Sequence, residues 1–473
     1  MILPCLGISG SCSRITLSSL RAYSLLSRGI DGLEDHQEYV IPFTLSSTTF
    51  EHNSNRNHLQ TKIVRISRLH MSGRNFTYID NTNALELFCA TLGDYPWLAI
   101  DTEFQREQSY FPKLCLLQIA TPQGGVGVVD PFAIGDLSSL VNRLYDKHLT
   151  KVLHSARQDL EIFYHLTGAV PQPIFDTQVA ASLLGFADQI GYASLVEQVL
   201  GIKLSKTQTR TDWTNRPLSR EQIHYAVDDV HYLAHLYIQL RDRLDSLGRL
   251  AWLDEELLRL CAPDIYQTPP ELAWQRFRVA ERMHGSPLAA LKRLAAWREV
   301  QAKALDRPRG WILRDEVLLD IAQQLPTTVA DLARINGVHE RLVQKHVEEL
   351  LDMIGKAKKN PEARRSATDA ERNWNIENDA LADTLMAVVK LRALECQINP
   401  TVLATVKDIQ KLISSAHDSM LTRGWRAEIV GNDLDAILAG QLCLRVSNRK
   451  LLTMQCAKIA GQNSVPTIPS GDV

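Results

Sequence analysis

The 473-residue chain holds no apolar run near the roughly 18 uninterrupted residues that span a bilayer, so no transmembrane helix is placed. Neither sign of charge is in excess. Lys and Arg number 52 against 54 Asp and Glu, a net charge of −2, so any nucleic-acid surface must be a local basic patch. The eight cysteines are scattered, with no C-x-x-C and no close histidine at zinc spacing. That pattern argues against structural zinc or a disulfide framework and points to a reducing compartment, with the cytoplasm as the expected location. Acids are missing before Asp31, in a Ser-rich stretch carrying Arg14, Arg21 and Arg28. This is the composition of an organellar transit peptide, or of translated upstream sequence with Met71 as the real start. The second is favoured because coherent patterning begins just after Met71, and residues 1–70 are expected to be disordered.

What is present describes an ordinary globular protein, 45% apolar and 22% charged. The length calls for about three domains. A strand at Phe76–Ile79 leads into a helix over Asn81–Leu92, and the apolar run Trp97-Leu98-Ala99-Ile100 then ends in Asp101-Thr102-Glu103. Leu114–Ala120 and Val126–Val129, parted by Pro122 and Gly124-Gly125, complete an antiparallel meander. A helix over 136–145, a short strand over 151–154 and a helix over 155–166 follow. Antiparallel strands followed by alternating strands and helices imply a mixed α/β sheet flanked by helices. Leu218-Ser219-Arg220-Glu221-Gln222 carries a capping box that opens a long helix through Leu240.

The candidate site begins at Asp101 and Glu103. A side-chain period of two puts both on one strand face, roughly 7 Å apart. Carboxylates this close repel unless a cation sits between them, and oxygen-only ligands suit Mg²⁺ or Mn²⁺ rather than zinc. A lone D-x-E is more often a solvated strand end, so the pair needs further acids. Asp159, near the start of its helix, is one, although an acid there also suits the helix dipole. Tyr225 and Asp229, four apart, share one face of the long helix.

Three phrases, Asp101-Thr102-Glu103-Phe104, His154-Ser155-Ala156-Arg157-Gln158-Asp159-Leu160-Glu161 and Tyr225-Ala226-Val227-Asp228-Asp229-Val230, resemble the three exonuclease motifs of the DEDD superfamily. Their order and spacing are similar to bacterial ribonuclease D. So are Tyr110-Phe111-Pro112, Leu116-Leu117-Gln118, Asp176-Thr177-Gln178, Arg210-Thr211-Asp212-Trp213 and Arg216-Pro217-Leu218. The resemblance implies a ribonuclease H-like, DnaQ-type fold and metal-dependent 3′-to-5′ hydrolysis of RNA, with tRNA precursors as substrate class and nucleoside 5′-monophosphates as product. It also implies two metal ions per site, Mg²⁺ or Mn²⁺. Asp101 would bridge both, Glu103 and Asp229 would complete the nucleophile-side ion, Asp159 would act at the other, and Tyr225 would orient the attacking water. The superfamily has tyrosine and histidine branches, and His224, five before Asp229, satisfies the second spacing. Tyr225 is taken because the phrase around it matches ribonuclease D, and adjacent helix positions point about 100° apart, so only one can face the metals. His154 is read as a buried strand-end histidine.

Substrate contacts are expected from Phe104, Tyr110, Lys206, Arg210 and Trp213, with Lys203, Arg216 and Arg220 adding charge to the same loop. Core packing is the competing role for the three aromatic residues. Beyond residue 262 the pattern turns helical. Leu294-Ala295-Ala296-Trp297-Arg298 and Leu332-Ala333-Arg334-Ile335-Asn336-Gly337 resemble the HRDC domain, and Arg276 to Arg314 carry ten Lys or Arg against three acids, an excess suited to phosphates. The expected division is an exonuclease domain over 71–262, an HRDC domain over 285–355, a linker over 356–377, a second HRDC-like helical domain over 378–450 and a flexible tail over 451–473. RNA 3′ ends are the expected partner, with no membrane and no obligate protein partner. Two rival readings remain, the same fold acting on DNA and a non-catalytic RNA-binding factor.

Overall fold

The computed structural model describes residues 23–25, 36–45, 60–71, 74–204, 211–362, 374–414 and 419–456. Nine strands form one sheet: β1 Tyr23–Leu25, β2 His36–Leu45, β3 Gln60–Met71, β4 Arg74–Ile79, β5 Trp97–Gln105, β6 Lys113–Ala120, β7 Val126–Val129, β8 Thr150–Leu153 and β9 Ile174–Asp176. Their order across the sheet is β1-β2-β3-β4-β7-β6-β5-β8-β9. The expected antiparallel meander is β5-β6-β7, while β5 runs parallel to β8 and β8 to β9. Where disorder was expected over 1–70, β2 and β3 pair antiparallel and β3 adds to β4, whose edge would otherwise present unpaired backbone groups. The remainder of that segment lies outside the described residues.

Burial on both faces explains the unbroken apolar start of β5. Leu98 and Ile100 join α1 (Thr82–Thr91) and α2 (Ser138–Leu144) in one cluster with Leu85, Phe88 and Leu140. Trp97 and Ala99 face the opposite way, into the cluster holding the long helix α6 (Arg220–Ser246). Gly127 is required on the α1 side, because a Cβ there would lie 2.3 Å from the Phe88 ring. Helix α6 opens on the expected capping box, with the Gln222 amide donating to Ser219 Oγ at 3.2 Å and the Ser219 amide to Gln222 Oε1 at 2.8 Å. Its buried stripe runs Ala226, Val230, Leu233, Tyr237, Leu240 and Leu244, steps of four and three that lay one face on the sheet.

Arg216, expected at substrate phosphates, is instead consumed by the fold. Its guanidinium grips buried Asp130 at 2.6 and 2.9 Å, donates to the carbonyls of Cys115 and Trp213 at 2.8 Å each, and lies 4.9 Å from the Phe132 ring. Tyr78 adds a 2.8 Å bond to the same carboxylate. Asp130 is 3% exposed, and a buried carboxylate needs this many partners, which leaves the arginine none for RNA.

The C-terminal half forms two helical units of different standing. Helices α8 (Gly285–Ala304), α9 (Arg309–Ile312), α10 (Asp315–Gln324), α11 (Val329–Arg334) and α12 (Glu340–Lys359) enclose their own core around Leu291, Leu294, Leu318, Ile321 and Leu350. Helix α12 runs past the expected linker start at 356, since Ala357 is buried and Lys356, Lys358 and Lys359 complement its C-terminal dipole. The unit beginning at helix Ile376–Cys396 does not have a separate core. Its Leu385, Val388, Leu403 and Trp425 belong to the same cluster as the catalytic-domain residues on α6 and α7 (Leu250–Leu260). Trp252 and Trp425 stack at 4.7 Å, and Arg426 pairs with Glu256. This unit ends in a hairpin, Leu442–Ser447 with Lys450–Gln455, where a helix end and a flexible tail were expected. The turn residues Asn448 and Arg449 both take positive φ, 50° and 62°, and Arg at the second position hides the usual Asn-Gly signal.

Replacing Asp130 by alanine should strand the Arg216 guanidinium beside a buried carbonyl and cost about 3 kcal/mol. A fall in the urea midpoint measures this; an unchanged midpoint would show that the pair carries no stability.

Candidate active site

The site is built where β5 leaves its apolar run. Asp101 and Glu103 continue the Trp97–Ala99 face toward α6, and a bulge between Glu103 and Phe104 shifts the register of the ladder with β6. From α6, Asp229 projects to meet them. Carboxylate oxygens of Asp101, Glu103 and Asp229 all lie within 4.8 Å of one another, the only such acidic, histidine or cysteine group among the described residues.

Asp159 arrives from the other side. It sits in the first turn of α3 (Arg157–Thr167), is 7% exposed, and accepts a short bond from the hydroxyl of Thr102, the residue between the two β5 acids. Its carboxylate stands outside the group of three, yet it feels the charge of Asp101 and its own charge is felt at Glu103. The start of α3 is pinned by Asp176, whose Oδ1 accepts from the Ser155 amide at 3.0 Å and Oδ2 from Ala156 at 2.8 Å. Asp176 Oδ1 also accepts from Gln178 at 2.8 Å, capping α4 (Thr177–Ser182). The Asp176-Thr177-Gln178 phrase therefore holds Asp159 in place from the end of β9. Ser155, at φ 56°, makes the sharp entry this requires.

On α6, Tyr225 turns to the acids and His224 does not. Tyr225 bonds to the Asp229 carboxylate, and the charges of Asp229, Glu103 and Asp101 reach its phenol. His224 Nδ1 lies 3.2 Å from Asp228 Oδ2 on a partly exposed face. His154 is the buried histidine expected: Nδ1 is 3.0 Å from Thr177 Oγ1 and the ring is edge-on to Tyr192 at 5.3 Å. Two residues escaped the sequence reading. Thr102 fixes Asp159, and Tyr192, on α5 (Tyr192–Leu200), donates its hydroxyl to the main-chain carbonyl of Asp229. A lone threonine or tyrosine carries no signal of that role.

Electrostatics mark the place. Burial first, and then the charge of Asp229, raise the carboxyl of Asp101 well above the usual range. Burial and Asp101 do the same to Asp159, burial with the three neighbouring acids raises Glu103, and burial raises Asp229 against the opposing bond from Tyr225. Buried like charges this close are in want of a compensating cation, and their oxygen-only donor set fits a divalent ion of the Mg²⁺ or Mn²⁺ kind. Burial and the same acids raise the Tyr225 phenol, so it stays protonated and serves as a hydrogen-bond donor.

The expected substrate contacts fare unequally. Phe104 is half-buried at the strand end, with the Arg106 guanidinium 5.8 Å from its ring. Trp213 is 5% exposed and 6.2 Å from the Tyr225 ring, so it anchors its loop behind Tyr225 and offers no face for stacking a base. Tyr110 is engaged by the helical domain: its hydroxyl donates to Glu299 and accepts from Arg309 at 2.9 Å. Lys206 and Arg210 lie outside the described residues.

Comparisons with known proteins bear on the fold and the family. A 3′-5′ exonuclease family matches residues 76–245, and the HRDC domain family matches 288–354. Ribonuclease D of Sphingobium indicum is 39% identical over 379 residues, covering 79% of this chain and 97% of the relative. Ribonuclease D of Bartonella henselae is 35% identical, covering 85% of this chain and 100% of the relative. The crystal structure of Escherichia coli RNase D, described as an exoribonuclease involved in structured RNA processing, aligns at TM-score 0.68 and 28% identity over 77% of this chain and 99% of that one. A mixed sheet of ribonuclease H-like form followed by helical units, an HRDC domain and buried acids at the strand end thus belong together: the chain is a member of the ribonuclease D family, a 3′-5′ exoribonuclease.

Proposed function

We propose that the chain trims the 3′ ends of structured RNA, tRNA precursors included, in the cytoplasm, releasing nucleoside 5′-monophosphates by two-metal-ion hydrolysis. The observation that carries this is the trio of Asp101, Glu103 and Asp229 oxygens within 4.8 Å, with the Tyr225 hydroxyl bonded to Asp229. Asp101, Glu103 and Asp229 would hold one ion, and Asp101 with Asp159 a second. Ions bound there supply an activated water and neutralise charge on the leaving 3′-oxygen. The residues supply the geometry. Tyr225, protonated, orients the attacking water by hydrogen bonding; Tyr192 holds the Asp229 backbone; Thr102 keeps the Asp159 carboxylate aimed from the opposite side. Phe104, half-buried next to the acids, packs against the terminal nucleotide.

Purified protein incubated with matched 3′-extended RNA and DNA, with and without Mg²⁺ or Mn²⁺, should yield mononucleotides from RNA only and only with metal. Equal release from DNA would change the substrate, and binding without turnover would remove the enzyme. Asp101→Ala should lower kcat by about 10³-fold, and Tyr225→Phe by about 10²-fold with little change in KM, because each acts on the reacting water or its ions. Full activity in either variant would refute the assigned role.

The raised carboxyls also fix a sign. Without metal the folded chain holds more protons than the unfolded one, so its stability falls as pH rises from about 4 through the raised values. A bound divalent cation removes that loss. Thermal unfolding should show the metal-free Tm declining between about pH 6 and pH 8, with Mg²⁺ raising Tm more at the higher pH. A gain equal at both pH values would mean that the acids are not the ligands.

A further inference from the structure

The proposed chemistry leaves unused a cavity of about 620 Å³ at the seam between the catalytic domain and the HRDC domain. One wall is the loop after β5, from Arg106 to Phe111, with Glu161, Tyr164 and His165 of α3. The other comes from the connecting segment around Tyr266 and from Arg276, Lys303 and Arg309. The seam is held shut on one side. Asp306 Oδ1 accepts from the amides of both Tyr110 and Phe111 at 3.0 Å, and the Tyr110 hydroxyl joins the Glu299–Arg309 pair.

Charge and aromatic surface meet in this space. Arg106 is balanced by Glu161 at 2.5 Å and Arg309 by Glu299 at 2.6 Å. Lys303 donates to the Thr268 carbonyl at 2.6 Å with its charge also reaching Glu299, and Arg276 is exposed; neither forms an ion pair among the described residues. The cavity therefore keeps two cations outside any direct ion pair. Beside them Tyr164 and Tyr266 stack at 5.8 Å, and Phe111 meets His165 edge-on at 4.6 Å, all but Tyr266 partly open to the space. Cations beside partly exposed rings are the parts that hold a single nucleic-acid strand, phosphate to charge and base to ring. Arg106 follows Glu103 by three residues, so the cavity starts within about 10 Å of the acids, which at about 3.4 Å per stacked nucleotide is about three nucleotides.

We infer that this cavity is a station for a nucleotide of the substrate strand about three positions upstream of the bond being cut, its phosphate held by Arg276 and Lys303 and its base by the Phe111 and Tyr164 rings. The inference rests on the exoribonuclease reading and gives the HRDC domain a defined share of the substrate. It makes affinity depend on length, since a dinucleotide ends before the station and an octanucleotide fills it.

The test uses full-length protein with an RNA dinucleotide and an RNA octanucleotide as probes. In Arg276→Glu, the ratio of the dinucleotide KM to the octanucleotide KM should fall by about 5- to 10-fold, and Lys303→Met should move it the same way. The slope of log affinity for the octanucleotide against log salt should drop by about one in Arg276→Ala, one phosphate contact being lost. An unchanged length ratio and salt slope in these variants would overturn the inference. Anisotropy of a labelled octanucleotide on Asp101→Asn protein reads the station without turnover. If the wild-type enzyme cleaves neither probe, the nuclease reading fails, and this binding arm still decides the station by whether adding Arg276→Glu weakens the octanucleotide.

Discussion

Repulsion among buried carboxylates is the constraint around which this molecule is arranged. Asp101, Glu103 and Asp229 are held within 4.8 Å, with Asp159 close enough to feel Asp101 and to act on Glu103, although each would be better solvated apart. Nothing in the acids themselves brings them together. The apolar faces of β5, α3 and α6 do so, because burying Trp97, Ala99, Leu160 and Val230 in one cluster fixes where the next residues along each element must point. Folding energy from the core is thus stored as electrostatic strain at the strand end, which a divalent cation held there would relieve.

Around the acids lies a set of contacts whose work is to keep elements from drifting. Asp176 ties the start of α3 to β9, Tyr192 ties α5 to the backbone of α6, and Arg216 ties the loop before α6 to β6 and to Asp130. Each joins segments far apart in the chain through one side chain reaching two or more backbone or carboxylate groups. Such residues are as particular in their placement as the acids, since a shift of α3 or α6 by one ångström would change how the acids face one another.

Secondary-structure periods made two pairings legible from sequence, Asp101 with Glu103 along a strand and Tyr225 with Asp229 along a helix, while it was the resemblance to the ribonuclease D motifs that joined them with Asp159. The capping box at Ser219 was legible for the same reason, being local. What sequence could not show depends on partners elsewhere in the chain. Arg216 looks like a phosphate ligand until Asp130 is seen beneath it. Trp213 looks like a stacking platform until its burial behind Tyr225 is seen. The hairpin at 442–455 was lost because Asn448-Arg449 is an unusual pair for a turn in which both residues take positive φ. Apolar stripes on the last helices announce that they are covered but not by what, and their cover proved to be the catalytic domain.

That shared core has a consequence for how the chain is assembled. The residues of Ile376–Cys396 and the stacked Trp425 complete a hydrophobic body begun by α6 and α7, while the HRDC helices, with a core of their own, are strung between the two contributions. In topological terms the HRDC domain is an insertion, tethered at both ends to one body. A ribosome emitting this chain must therefore release the whole HRDC domain before the segment that closes the last apolar face of the catalytic half follows it, so that face waits uncovered while the helices between are made.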